Sequence, residues 1–428
     1  MYVREVEGDQ ATLLTGRAMT AGGTLIVGAG QAGHTMALTL RRHGYAAPVT
    51  VVGAEPHQPY QRPPLSKAFL LGTTDVERLA LGKPNVYSEA GICLVLGERI
   101  TSITAPEPGT PGHAATDRGR VFDFDQVGLA VGGEPCCLDL PGSDLAGVHY
   151  LRSLADAQAL RSSMTAARRV VVIGGGFIGL ETAAAARSTG ASVTVLEAAD
   201  RLLSRVVAPV VSDAYAAAHR RRGVDIRLNS SAVAFEGEAA VRAVALADGS
   251  SLAADLVLVG IGMRPRLELA RRLGLRCEQG IVVDEAARTS NPLVCAAGDC
   301  TQFPDPRAPG RVIMLESVQN AMDQARVAAA ALAGQPTRYG ALPWFWSDQG
   351  SLKLQIAGLS HGYEDLLVVG NPDDERFAIL YFRAGLLTAI DAVNLPLDYA
   401  AVRRALARGD TLGREMFAPD LAPAEILS

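Results

Sequence analysis

Val170-Val171-Val172-Ile173-Gly174-Gly175-Gly176-Phe177-Ile178-Gly179-Leu180-Glu181, then an alanine-rich run, then Ser192-Val193-Thr194-Val195-Leu196-Glu197, is the stretch that decides the fold. A short β-branched run, a glycine-rich turn, a stretch of small residues and a second β-branched run describe a βαβ unit. Gly174, Gly176 and Gly179 fit G-x-G-x-x-G. The first glycine permits the tight turn, the second lets the backbone approach a pyrophosphate, and the third lets helix and strand pack closely. A pyrophosphate there meets the free N–H groups and the positive end of the new helix. Glu197 closes the second strand, where a carboxylate accepts hydrogen bonds from two ribose hydroxyls. It also repels a 2′-phosphate, and such like-charge juxtaposition costs several kcal/mol. The spacing therefore points to NAD(H) rather than NADP(H). One glycine fingerprint is weak evidence, because glycines also mark ordinary turns; here strand, turn, helix, strand and terminal acid occur in order.

Thr24 to Glu55 repeats the pattern. Leu25-Ile26-Val27 leads into Gly28, Gly30 and Gly33, a helix is expected to about Gly44, and Val49 to Val52 forms the next strand, ending near Glu55. Two complete fingerprints predict two bound dinucleotides, with FAD at the N-terminal copy when the second serves NAD(H). His34, on the first helix, reads as a surface or packing histidine.

The 428 residues suggest about three domains. With 48% hydrophobic and 20% charged residues and a net charge of −5, the composition is that of a soluble enzyme without a nucleic-acid footprint. No apolar run approaches the ~20 residues of a membrane helix. Residues 1–22 carry Arg4, Glu5, Glu7, Asp9 and Arg17 and lack an apolar core, so an N-terminal extension is expected rather than a signal peptide; Met19 offers an alternative start. The six cysteines (Cys93, Cys136, Cys137, Cys277, Cys295, Cys300) form no zinc pattern, no metal site is expected, and reduced thiols in a cytoplasm are the default. Cys295 and Cys300 have the C-x4-C spacing of flavin disulfide reductases. But Cys295 ends an apolar strand and Cys300 follows Asp299, so both read as packing residues.

Between the fingerprints, Pro59 to Leu70 contains three prolines that stiffen the entry to a helix beginning after Pro64. Lys67 is one of only three lysines in the chain and reads as a positioned charge. Ala80 to Asp125 suggests short strands, clearest at 91–100, and Val127 to Gly133 a strand ending in glycines. Further on, Asp200 to Arg222 reads as helix, with His219 to Arg222 as its solvated end. Asp248-Gly249 marks a hairpin, and Leu256 to Gly262 a buried strand returning to the first domain. Ala297-Gly298-Asp299 ends another strand where a carboxylate can hold a ribityl hydroxyl. Glu316 to Ala321 opens an alanine-rich helix to about Ala333, whose N-terminus can face a flavin's electron-rich edge. From Ala341 the sequence alternates like an antiparallel sheet, begins with both tryptophans, and ends on a helix bearing Arg403, Arg404 and Arg408. A core role and an interface role account for the tryptophans equally well.

Taken together, Arg62-Pro63-Pro64-Leu65-Ser66-Lys67, the Gly174–Glu181 run, Ala297-Gly298-Asp299-Cys300, Glu316-Ser317-Val318-Gln319-Asn320 and Pro343-Trp344-Phe345-Trp346-Ser347-Asp348-Gln349 resemble the NADH-dependent, FAD-containing ferredoxin reductases of bacterial cytochrome P450 and ring-hydroxylating (Rieske) oxygenase systems. The resemblance runs from about Thr24 to the 390s. It implies that Ala32, Glu55, Arg62, Lys67, Ile100, Arg152, Asp299 and Val318 line FAD beside Gly28, Gly30 and Gly33. Lys67 and Glu181 would pair beside flavin N5 as the catalytic residues, and Gly174, Gly176, Gly179, Glu197 and Gly262 would complete the cofactor-binding set. The sequence departs from the family at Val131 and Cys136, where a hydroxyl and an arginine are usual, and at Met314 and Leu395, where arginine is common.

The expected architecture is α/β: two Rossmann-like dinucleotide-binding domains of glutathione-reductase type and a C-terminal α+β domain. The expected boundaries are 1–22 for the extension, 23–133 with 259–340 for FAD, 134–258 for NAD, and 341–428 for the interface domain. The expected reaction takes electrons from NADH through FAD to a [2Fe–2S] ferredoxin, or a rubredoxin, that docks transiently through local arginines. A monomer without nucleic-acid or membrane partners is expected. Two alternatives stay open: an NADH oxidase or peroxidase, which needs a reactive cysteine, and a flavin-binding interaction protein resembling apoptosis-inducing factor.

Overall fold

Each glycine fingerprint follows the central strand of a five-stranded parallel sheet in the computed structural model, which describes residues 22–419 and 421–427. The segment read as an N-terminal extension lies, apart from Gly22, outside the described residues. In the first sheet Thr24–Val27 runs between Val49–Gly53 and Gln126–Leu129, with Ile92–Leu96 and Val294–Ala296 at the edges. In the second, Arg169–Ile173 runs between Ser192–Leu196 and Leu256–Val259, with Val224–Arg227 and Val148–Tyr150 outermost. Thr24–Val27 is buried along its whole length and Arg169–Ile173 along all but its first residue, as strands covered on both faces require. Both glycine turns sit at the carboxyl ends of these central strands, where open α/β sheets bind ligands.

The third sheet is antiparallel, in the order Trp344–Gln349, Leu352–Gly358, Leu386–Val393, Arg376–Arg383, Asp365–Asn371, and the Pro396–Arg408 helix packs on it. Successive side chains of Trp344–Gln349 point to opposite faces. Phe345 meets Phe177 of the Phe177–Ser188 helix at 4.6 Å between ring centroids, while Trp344 and Trp346 stack on each other at 5.6 Å on the opposite face. The core reading thus holds for Phe345, while the two tryptophans are only partly buried.

Four sequence readings need correction. Leu256–Val259 does not return to the first sheet. It pairs in parallel with Arg169–Ile173 as a member of the second, because the chain has just left the 241–253 hairpin lying against that sheet. The helix expected from Asp200 starts only at Pro209, whose fixed φ and missing N–H suit a first helical position. The segment after Pro64 is one 3₁₀ turn, Pro63–Ser66, so Lys67 lies just past it rather than inside a helix. His219 to Arg222 is only partly a solvated end. Arg220 and Arg221 are exposed, but His219 is buried, and Arg221 and Arg222 both pair with Glu375, in the turn between two strands of the third sheet.

A buried polar contact joins the start of the Pro209–Arg221 helix to the third sheet. The backbone N–H of Ala208 donates to the Tyr381 hydroxyl (3.1 Å), which donates to Asp391 (2.5 Å). Asp391 is 1% exposed; burial pushes its carboxyl up from 3.8 to about 7, against the opposing effect of the Tyr381 hydrogen bond. The folded chain therefore holds a proton that the unfolded chain has already released. Stability from this group is fully present below about pH 3.8 and is lost as pH rises toward about 7. Urea unfolding of the wild type and Asp391→Asn across that window should show the wild type losing stability relative to the variant by up to about 1.4 kcal/mol per pH unit. A pH-independent difference would refute the protonated carboxyl.

Candidate active site

The two glycine turns use their three glycines in the same way. A Cβ on Gly28 (φ +113°) would lie 2.2 Å from the Ala130 carbonyl oxygen, and one on Gly33 would lie 1.8 Å from that of Gly28. In the second copy, Gly174 (φ +106°) and Gly179 would place a Cβ 2.4 Å from the Gly260 oxygen and 2.1 Å from the Gly174 oxygen. Protein packing alone therefore demands the first and third glycines. The middle glycines are different. Gly30 (φ −92°, ψ −163°) and Gly176 (φ −83°, ψ −178°) have extended backbones that any residue adopts. A Cβ on either would meet nothing within 4 Å. Each caps a helix, Gln31–Arg42 or Phe177–Ser188, with no acid in its first turn. Two cradles bounded by free N–H groups and kept clear of side chains fit the pyrophosphates of two dinucleotides.

Around the first cradle, residues distant in sequence form one polar chain. Glu55 accepts from the Tyr60 hydroxyl and from Arg62 Nη2, both at 2.6 Å. Burial pushes the Glu55 carboxyl up, but the Arg62 guanidinium and these hydrogen bonds together hold it below its ordinary value. Arg62 also donates to the Arg152 carbonyl (2.5 Å), and Arg152 Nη2 donates to Asp299 (2.8 Å). Ala32 sits opposite Gly298, whose added Cβ would come within 3.3 Å of it. Ile100 is a buried core residue outside this polar chain.

Sequence reasoning missed Arg99 and Arg266. Burial and the Arg99 guanidinium, joined by Arg152 and Arg62 and only partly offset by Glu134, push Arg266 below the usual arginine range. Such crowding of cations suits a polyanion. No fingerprint glycine signals it, because Arg266 reaches this place through the antiparallel pairing of 263–265 with 133–135.

At the second cradle, Glu197 accepts from the N–H of Gly175 (2.7 Å) and of Ala199 (2.8 Å), which fixes the acid against the glycine turn. Gly262 (φ +118°) closes the same region, with Arg205 Nη2 3.3 Å from where its Cβ would lie. Arg205 was not among the residues expected from sequence.

Lys67 Nζ lies 2.6 Å from Oε2 of Glu181, on the helix that follows the second cradle, with side-chain exposures of 18% and 4%. Two further donors converge on the carboxylate: Ser66 Oγ at 2.5 Å to Oε2 and Ser347 Oγ at 2.6 Å to Oε1. Nearby, Val318, the first residue of the Val318–Leu332 helix capped by Ser317, lines a cavity of about 350 Å³ with Gln31, Pro63, Arg42, Arg326 and Trp346. His34 is buried and hydrogen-bonded to Tyr87 at 2.6 Å, a packing histidine. Cys295 and Cys300 are also buried, and burial pushes both thiols up to about 12, so neither presents a reactive thiolate at neutral pH.

A family model described as pyridine nucleotide-disulphide oxidoreductase matches residues 23–330, and one described as reductase C-terminal matches residues 344–423. Rhodocoxin reductase of Rhodococcus erythropolis is 44% identical over 386 residues, covering 90% of this chain and 89% of that protein. Putidaredoxin reductase CamA of Pseudomonas putida is 40% identical, covering 88% and 89%. The reductase in the covalent putidaredoxin reductase–putidaredoxin complex superposes with a TM-score of 0.85 at 39% identity, over 92% of this chain and 94% of that one. The ferredoxin reductase for the CYP199A2 system from Rhodopseudomonas palustris gives 0.89 at 37%, over 95% and 100%.

The contrast among the glycines is testable. Gly30→Ala and Gly176→Ala should both keep the wild-type melting temperature, whereas Gly33→Ala should fail to fold. Calorimetric titration should show FAD affinity about tenfold or more weaker in Gly30→Ala, and NADH affinity similarly weakened in Gly176→Ala, each with the other dinucleotide unaffected. Full FAD affinity in Gly30→Ala would remove the first cradle from the site.

Proposed function

The chain belongs to the pyridine nucleotide-disulphide oxidoreductase family, and from that membership we propose that it is an FAD-containing ferredoxin reductase that takes electrons from NADH and delivers them singly to a small acidic [2Fe–2S] ferredoxin serving a cytochrome P450 or Rieske oxygenase. The observation that carries this reading is the pair of equivalent glycine cradles, together with a half-buried lysine paired with a buried carboxylate. The names of the relatives, rhodocoxin and putidaredoxin reductases, support the class of electron acceptor.

Bound FAD would supply the exchange between a two-electron hydride donor and a one-electron acceptor. The chain's own residues bind, orient and set the charge. Gly28, Gly30 and Gly33, with Arg266 and Arg99 alongside, would hold its diphosphate. Glu55, oriented by Tyr60 and Arg62, would accept the ribose hydroxyls, and Asp299, oriented by Arg152, the ribityl chain. Lys67, paired with Glu181, would place a cation where negative charge arrives. The free N–H groups at the start of Val318–Leu332 act in the same direction. Glu197 would select NADH by accepting from its ribose and repelling a 2′-phosphate. Hydride transfer needs no proton donor, so the remaining task is to hold two rings at a fixed distance.

In this reading residues 23–133 and the chain from 263 to 340 hold FAD, 134–262 hold NADH, and 341–428 form the interface, with the boundary moved past Gly262 because Leu256–Val259 belongs to the second sheet. Although the net charge is −5, Arg42 and Arg326 present local cations beside Trp346 at the cavity mouth, where an acidic ferredoxin would dock transiently. Among the described residues no helix is long and apolar enough to cross a membrane. A monomer in the cytoplasm, where free thiols stay reduced, completes the proposal.

Anaerobic rapid mixing with NADH should bleach the flavin, and added ferredoxin should restore it at a rate that falls with rising salt. Arg326→Glu should leave bleaching unchanged and lower kcat/KM for ferredoxin by about tenfold at low salt, with the gap narrowing as salt screens the contact. A flavin that stays yellow under NADH would end the proposal; salt-insensitive reduction would remove the electrostatic docking.

A further inference from the structure

Ser347 and Gln349 share one face of the Trp344–Gln349 strand, and both are fully buried. Ser347 Oγ lies 2.6 Å from Glu181 Oε1, and Gln349 Nε2 lies 3.2 Å from Ser347 Oγ. Gln349 Oε1 lies 2.8 Å from Nε2 of His219, on the Pro209–Arg221 helix. The direction of every link follows from the first. Glu181 is the carboxylate partner of Lys67 at 2.6 Å, and a carboxylate only accepts. Ser347 must therefore spend its one proton on Glu181 and accept from Gln349. Gln349 must turn its amide nitrogen to Ser347 and its oxygen to His219. His219 must then carry its proton on Nε2. A second proton, on Nδ1, would be buried with no hydrogen-bond partner among the described residues. Burial, aided by the Arg222 guanidinium, holds His219 below its ordinary value even against the Gln349 hydrogen bond.

We propose that His219, Gln349 and Ser347 form a one-way chain of hydrogen-bond donors that positions Glu181, and through it Lys67, so that the C-terminal sheet governs the charge this pair presents. These three are positioning residues; none touches a cradle. The chain is no proton path, because the Gln349 amide is fixed in one orientation and would have to give up its own N–H to pass a proton on. The meaning of the charge rests on the proposed reductase function; the hydrogen-bond directions do not.

Other charged and titratable groups face the same region. Lys67 comes from just past the Pro63–Ser66 turn, Tyr215 and His219 from the Pro209–Arg221 helix, Asp348 and Asp391 from the third sheet, and Glu375 from the turn between two of its strands. Burial first, then Asp391, Asp348, Glu181 and Glu375, push the Tyr215 hydroxyl above its ordinary value, so it stays a neutral phenol. Losing the Ser347 proton would leave Glu181 Oε1 buried without a donor, a loss that disfavours the charged carboxylate.

Two measurements on the holoenzyme test the inference. Histidine-selective nitrogen NMR, with only seven histidines to resolve and His219→Gln to assign the signal, should find a neutral Nε2–H ring through the neutral range. An Nδ1–H tautomer or an imidazolium would overturn the chain whatever the enzyme reduces. In rapid mixing with NADH, Ser347→Ala should shift the acid limb of the bleaching-rate profile upward by about one to two pH units. FAD content should hold, Ser347→Thr should restore the wild-type profile, and Gln349→Leu should shift it the same way by less. A limb that stays in place in folded Ser347→Ala would reduce the contact to packing and overturn the proposal. If the wild type itself is not bleached by NADH, the reductase reading fails, and the ring tautomer still decides this one.

Discussion

A carboxylate buried to 4% exposure is unfavourable unless several donors meet it, and the arrangement of this molecule depends on how that demand is met at Glu181. Its three donors come from Ser66, Lys67 and Ser347, which belong to a proline-stiffened turn and to the first strand of the antiparallel sheet. Glu181 itself lies on the helix that opens the second dinucleotide fold. The carboxylate therefore joins three parts of the chain that no local interaction brings together. Removing any one donor leaves the others facing an undersatisfied charge, which is why the site behaves as a unit.

The two parallel sheets solve one problem twice. A central strand ends in glycines whose backbones must pass close to a neighbouring carbonyl, Ala130 in one copy and Gly260 in the other. The middle glycine in each is not required by protein packing, since a Cβ there would meet nothing within 4 Å. Equivalent cradles thus stand on two separate sheets, and the Lys67–Glu181 pair links the 63–67 turn to the helix that opens the second. Charge is distributed to suit this. The whole chain is acidic, yet Arg62, Arg99, Arg152 and Arg266 crowd one cradle and Arg42 and Arg326 flank the cavity. A field that is weak overall and strong locally steers an anion to one place without binding anions everywhere.

Much of this was legible in the sequence. Both fingerprints, their order, the terminal acids Glu55 and Glu197, the Asp248-Gly249 hairpin and the alternating C-terminal segment follow from spacing and side-chain type. Such features rest on interactions within about thirty residues, and the period of the hydrophobic pattern encodes them directly. The Lys67–Glu181 pair was reachable only by family resemblance, because nothing local marks two residues separated by 114 positions as partners. For the same reason the His219–Arg222 run looked like a solvated helix end. Its partners, Gln349 and Glu375, lie more than a hundred residues away.

By itself, then, the sequence determined two dinucleotide folds and an antiparallel sheet, since the glycine turns and apolar periods leave few other ways to bury those strands. Only the tertiary structure decided what Trp344–Gln349 is for. A strand has two faces, and which face meets which neighbour is a matter of docking. Here the docking turned Phe345, Ser347 and Gln349 toward the second fold and left the tryptophans facing away from it, because Ser66 and Lys67 both donate to Oε2 of Glu181 and its Oε1 takes its donor from Ser347.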